Sequence, residues 1–149
     1  MSDHRSEAKS ETRSVVMEKE FAHPPEKVWR ALTQGDLIAQ WLLENDFQPE
    51  VGRRFEFRSK PMGPWDGVIH SEVLVAEPYE RLSYRWDSLG LESVVAWTLT
   101  PTAAGTLVRM EQTGFKADQE AAYKGATYGW RAFFGKLEQV VGEIQKEGV

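Results

Sequence analysis

The chain has 149 residues, 41% of them hydrophobic and 28% charged, the proportions of a soluble globular protein long enough for one buried core. Its net charge of −5, with no Lys/Arg stripe, argues against nucleic-acid binding, and no apolar run approaches the ~18 residues of a membrane-spanning helix. There is no cysteine, which excludes disulfides and thiol catalysis and fits a reducing cytoplasm.

Residues 1–13 alternate acid and base around no apolar centre, unlike a signal peptide or a presequence. They are expected to be a disordered lead, with residues 14–149 as a single domain. Ser14 to Ala22 reads as a strand, with Val15, Met17 and Phe21 on one face and Glu18 and Glu20 on the other. Pro24 and Pro25 then suit the first turn of a helix, where a missing N–H costs nothing. That helix runs to Leu32 and puts Val28, Trp29 and Leu32 on one side. Gln34 to Trp41 is a second short helix with Leu37, Ile38 and Trp41 apolar.

Pro49-Glu-Val-Gly52 signals a turn. Arg54 to Arg58 alternates charge with Phe55 and Phe57, which face inward on a strand. After the Pro61–Pro64 loop, Gly67 to Ala76 is a longer strand with Ile69, Val73 and Val75 on its drier face. Arg81 to Trp86 follows a tight turn and puts Leu82, Tyr84 and Trp86 on one side. Beyond the Ser88-Leu-Gly90 break, Ser93 to Thr100 carries Val95, Trp97 and Leu99 inward, and Thr106 to Gln112 returns with Val108 and Met110. Short strands with hairpin-length gaps make an antiparallel meander of six or seven strands.

From Asp118 to Glu147 the period becomes helical, with Asp118 as N-cap, Glu120 in the first turn and Gly148 as the stop. Trp130, Phe134, Leu137, Val141 and Ile144 form the core stripe. At about 1.5 Å per residue the helix is roughly 40 Å long, enough to lie across a sheet. Its first half is unusual, because Ala122, Gly125, Ala126, Gly129 and Ala132 keep small side chains along one line. A helix-interior glycine costs about 1 kcal/mol relative to alanine, so space is wanted there. Either the helix approaches the sheet closely, or this half roofs a cavity.

Several of these pieces, in order, carry a resemblance: Phe21, Pro24, Val28-Trp29, Leu32-Thr33 and Trp41; Gly67 entering a long strand; Glu77-Pro78 with Arg81-Leu82; Val95 and Trp97 before Pro101; Gly105-Thr106; Thr113-Gly114-Phe115; and Gly129-Trp130. Over about residues 14 to 145 the chain resembles the family of proteins similar to the activator of heat-shock protein 90 ATPase, within the START-like, or SRPBCC, superfamily. The resemblance implies an α+β helix-grip fold: a curved antiparallel sheet around a long C-terminal helix, two short helices after the first strand, and an internal apolar cavity. It also implies a stand-alone ligand-binding domain. Eukaryotic co-chaperones of the family carry an additional N-terminal domain, for which 149 residues leave no room, so the family name is weak evidence for chaperone activation here.

Catalytic motifs are missing from the sequence. There is neither a Gly-rich phosphate loop after a strand nor a G-x-S-x-G elbow. The histidines, His4, His23 and His70, have no metal-ligand spacing, so no metal and no cofactor are expected. His70 and Glu72 share a strand face, as a solvated pair or as a proton-handling pair at a pocket wall. Arg54 and Arg58 are surface charges by parity, or cations at a cavity mouth. The expected ligand-binding residues are Tyr84, Trp86, Trp97, Gln112, Tyr123, Gly125, Gly129 and Trp130, aromatics and small residues that face one interior with a single polar amide among them.

Three functions compete. The favoured one is a cytoplasmic binding protein, monomer or dimer, holding an apolar or aromatic small molecule such as a lipid or polyketide-like compound. A cyclase or hydratase in the same cavity would need internal acid/base groups, and few are placed there. A stress or chaperone accessory would need an exposed apolar patch.

Overall fold

A computed structural model describes residues 13–144. Strand β1 (Arg13–Phe21) leads into helices α1 (Pro25–Thr33) and α2 (Gly35–Trp41). Strands β2 (Glu44–Asn45), β3 (Arg54–Arg58), β4 (Val68–Glu77), β5 (Arg81–Ser88), β6 (Leu91–Pro101) and β7 (Thr106–Phe115) follow, and helix α3 (Glu120–Glu143) closes the described chain. The seven strands form one antiparallel sheet in the order β1-β7-β6-β5-β4-β3-β2. All connections within the meander are local, apart from α1 and α2, which carry the chain from one edge of the sheet to the other. Helix α3 packs against β1, β7 and both short helices. This is the expected curved sheet around a long C-terminal helix.

The start of α1 works as its prolines suggest. Pro24 is extended at the N-cap, and its carbonyl accepts from the N–H groups of Lys27 and Val28 at 3.0 and 3.3 Å. Gln34 both ends α1 and begins α2: its N–H donates to the Arg30 carbonyl, and its own carbonyl accepts from Leu37 and Ile38. The Trp41 indole N–H donates to the Ala31 carbonyl at 2.8 Å, which locks the two helices together. Its ring meets Trp97 of the sheet edge-on at 5.6 Å. Phe134 of α3 stacks on the same Trp97 and meets Phe21 of β1 edge-on, so one aromatic cluster joins all three layers.

Several expectations are corrected. Arg13, placed in the lead, is the first residue of β1; the rest of the lead, 1–12, falls outside the described residues. The short strand β2 was not foreseen. It exists because Asn45 donates to the carbonyls of Gly35 and Leu43 and accepts from the Phe47 N–H, fixing the exit from α2. In β4 the register with β5 shifts by one between Val73 and Val75. The extra residue, Leu74, flips the alternation, so Ala76 packs on the core and Val75, expected inside, is only half-buried. Helix α3 is capped by Gln119 rather than Asp118, because a turn closed between Lys116 and Gln119 leaves the Gln119 carbonyl to accept from Tyr123. The helix stops at Glu143 with Ile144 as its C-terminal cap; the expected stop at Glu147 and Gly148 lies outside the described residues.

A cleft beneath the final helix

The small-residue line of α3 faces open space. A Cβ built on Gly125 meets nothing within 4 Å, and one on Gly129 meets only the Phe133 ring edge at 3.9 Å. Of the two readings of this line, close approach to the sheet is therefore the one that fails. Below it is an open cleft of about 650 Å³. One wall is the first half of α3, from Ala121 to Phe133, and the floor comes from Ile69, Trp86, Leu91 and Gln112 on four successive strands. Among the described residues the cleft is open on one side, whereas the resemblance implies an internal cavity.

Two loops form the rim. Met62 and Trp65 close a tight turn through reciprocal main-chain hydrogen bonds of 2.9 Å, and the Trp65 indole N–H donates to the Val68 carbonyl at 3.2 Å. Gly67 ends this loop at φ +84°, where a Cβ would lie 2.3 Å from the Ser59 carbonyl oxygen; only glycine fits. On the other side, Leu89 and Gly90 both have positive φ, 48° and 81°, the requirement of a tight two-residue hairpin. For leucine this conformation costs about 1–2 kcal/mol, and the side chain is 65% exposed at the rim.

The floor is aromatic and tied by hydrogen bonds. Trp86 and Trp130 lie tilted with ring centres 5.4 Å apart, and Phe57 supports Trp86 from behind at 5.1 Å. The Trp130 indole N–H donates to Gln112 Oε1 at 2.7 Å. Gln112 Nε2 donates to Ser93 Oγ at 2.9 Å, and Ser93 Oγ donates to the Trp86 carbonyl at 2.6 Å. Gln112 is only 1% exposed. A buried amide without partners would be costly, and this relay holds both tryptophans in place through it.

Five of the eight residues expected at the site border the cleft: Trp86, Gln112, Gly125, Gly129 and Trp130. The other three do not line it. Tyr84 and Trp97 are 3% and 1% exposed in the core, where the Trp97 indole N–H donates to Tyr84 Oη at 3.1 Å. Three phenylalanines, Phe47, Phe55 and Phe57, surround the Tyr84 ring, and burial pushes its phenol well above the ordinary range. Tyr123 lies against Phe115, with the Arg13 guanidinium 4.0 Å over its ring. Arg13 also pairs with Glu120, whose carboxyl it holds below the usual range through that hydrogen bond. Sequence reasoning missed Trp65, Met62 and Leu89, because loop residues have no periodicity. A tryptophan inside a Pro/Gly loop was the available signal.

His70 and Glu72 project from the opposite face of the sheet. There His70 Nδ1 lies 3.6 Å from Glu56 Oε2, and Arg58 lies 3.2 Å from the other oxygen of the same carboxylate. Arg54, Arg58, His70 and Glu72 border a shallow charged depression rather than the apolar cleft. Among the described residues no three His, Cys, Asp or Glu side chains are grouped to hold a metal, and no helix is long and apolar enough to cross a membrane.

Residues 22–142 match the family model described as Activator of Hsp90 ATPase homolog 1-like protein. Among solved structures, the chain is similar to protein MLL2253 from Mesorhizobium loti, at 50% identity and a TM-score of 0.83, covering 90% of this chain and 100% of that one. Protein BH1534 from Bacillus halodurans is 25% identical, with a TM-score of 0.76 over 89% of this chain and 99% of that one. DynU16, a protein of the dynemicin biosynthetic locus, is 26% identical with a TM-score of 0.75. That match covers 87% of this chain, which spans about half of DynU16, 47%. No curated protein matches the chain.

Proposed function

The chain belongs to the Activator of Hsp90 ATPase homolog 1-like family, and from that premise we propose that it is a small cytoplasmic binding protein whose cleft under α3 holds an apolar or aromatic molecule, lipid or polyketide-like in character. The observation that carries this reading is the pairing of Gly125 and Gly129, open to space, with a floor of tryptophan rings. Two glycines in a helix interior cost about 2 kcal/mol together relative to alanine. Such a cost is sensible where side chains would fill a space that something else occupies. The cleft has the volume and the mainly apolar lining of a small-molecule site. A biosynthetic locus is the source of one structural relative, DynU16, which agrees with a small-molecule ligand.

A catalytic reading has less support. The cleft wall offers one carboxylate, Asp118, and no histidine, while His70 and Glu72 sit on the far side of the sheet. The test is a screen of flat aromatic and aliphatic compounds by tryptophan fluorescence, since Trp65, Trp86 and Trp130 all border the cleft. Compounds that quench or shift this signal should lose their effect in Gly125→Leu, whose side chain projects into the cleft. Binding that survives Gly125→Leu unchanged places the ligand elsewhere and ends this reading.

A further inference from the structure

The hydrogen-bond relay in the cleft floor has a forced direction. The Trp130 indole N–H can only donate, so the atom 2.7 Å away must be an acceptor, Gln112 Oε1. The Trp86 carbonyl can only accept, so Ser93 Oγ spends its single proton there at 2.6 Å. Ser93 Oγ must then accept from its other neighbour at 2.9 Å, which makes that neighbour the amide nitrogen of Gln112. The orientation of the Gln112 amide follows from its neighbours' chemistry alone. A primary amide nitrogen carries two protons. One is committed to Ser93, and the second has no acceptor among the described residues. The side chain is 1% exposed and borders the cleft, so a partner for this proton can come only from the cleft side. An unpaired buried donor costs free energy, and the rest of the floor, Ile69, Trp86 and Leu91, offers only apolar side chains.

We propose that Gln112 is the specificity-determining contact of the cleft: its spare Nε2 proton donates to an oxygen acceptor, a carbonyl or ether oxygen, on the buried edge of an otherwise apolar ligand. The ligand class is therefore oxygenated planar molecules rather than bare hydrocarbons. This rests on the cleft being the binding site. A ligand whose buried edge presents a donor instead of an acceptor meets a second N–H and is disfavoured.

The test uses two probes of one shape, 1-acetylnaphthalene and 1-isopropenylnaphthalene, which differ by O against CH₂ at a single atom. Their dissociation constants are measured by ligand-observed NMR for the wild type, Gln112→Met and Gln112→Glu. Methionine keeps the length of the side chain without its protons, and glutamate keeps an oxygen for the Trp130 N–H. One neutral hydrogen bond corresponds to about a two- to tenfold preference, so the wild-type preference for the ketone should fall by that factor in both variants. The infrared carbonyl stretch of the bound ketone gives a second readout on the wild type alone, one that can overturn the assignment even if neither variant folds. It should sit at a hydrogen-bonded frequency. A stretch at the hydrocarbon-solvent value, or a preference unchanged in both variants, overturns the assignment to Gln112 and leaves the cleft reading standing. Failure of the wild type to bind either probe removes the cleft reading, and this inference with it.

Discussion

Gly129→Leu separates an open cleft from a packed interface by the sign of its effect on stability. The built Cβ at this position has one neighbour, the Phe133 ring edge at 3.9 Å, an ordinary contact distance. The rest of the leucine would extend into the cleft rather than into the sheet. Helix propensity then dominates. Leucine in place of an interior glycine is worth about 0.7 kcal/mol, and in a domain of this size about 1 kcal/mol moves the melting temperature by roughly 2–4 °C. The variant should therefore melt about 1–3 °C above the wild type, with native far-ultraviolet circular dichroism, while ligand-induced changes in tryptophan fluorescence vanish. Jammed packing would give the opposite result, because overpacking costs about 1–3 kcal/mol and would lower the melting temperature by several degrees. A destabilised Gly129→Leu would refute the argument from open space.

Three further perturbations read other parts of the fold. Trp29 is buried in α1 and meets Tyr79 edge-on at 6.3 Å; Trp29→Ala should cost about 3–5 kcal/mol, and a wild-type thermal melt would remove Trp29 from the core. Ser71 Oγ is buried without a hydrogen-bond partner, so Ser71→Ala relieves an unmet desolvation cost of about 1–3 kcal/mol and should raise the urea midpoint; a lower midpoint would mean the hydroxyl is bonded. His23 has a pKa held below 6.5, first by burial and then by the nearby Lys27, with Glu138 opposing. The unfolded chain therefore binds this proton first as pH falls, and the folded state loses stability below about pH 6.5 until folded His23 also protonates. His23→Gln should lose less stability between about pH 7.5 and 5.5 than the wild type does, as read by urea midpoints; an equal loss would assign the effect to other groups.

Much of the architecture is legible along the chain because it is written in local chemistry. The proline pair before Val28 and Trp29 marks the start of α1, period-two alternation assigns Phe55, Phe57, Leu82, Val95 and Leu99 to the inner face, and the core stripe from Trp130 to Val141 orients the last helix. The small-residue line likewise announces that room is wanted above the sheet. These signals depend on steric preferences and on burial, which repeat with the backbone period.

Periodicity is silent about depth. Tyr84 and Trp86 are two residues apart on the same face of β5, so alternation treats them alike. Tyr84 lies beneath Phe47 and beside Trp97, in the half of the sheet sealed by α2 and the chain that follows it, whereas Trp86 lies beneath the half of α3 that carries Gly125 and Gly129 and borders the cleft. The difference comes from which distant element covers each position, and no local pattern encodes that. The same holds for the relay through Gln112, which joins β5, β6, β7 and α3. The extra residue at Leu74 also escapes any period, because a bulge exists only in the register between two strands. Local chemistry thus chose the elements and their inner faces, while long-range packing chose which inward residues became solid core and which became the floor of a cleft.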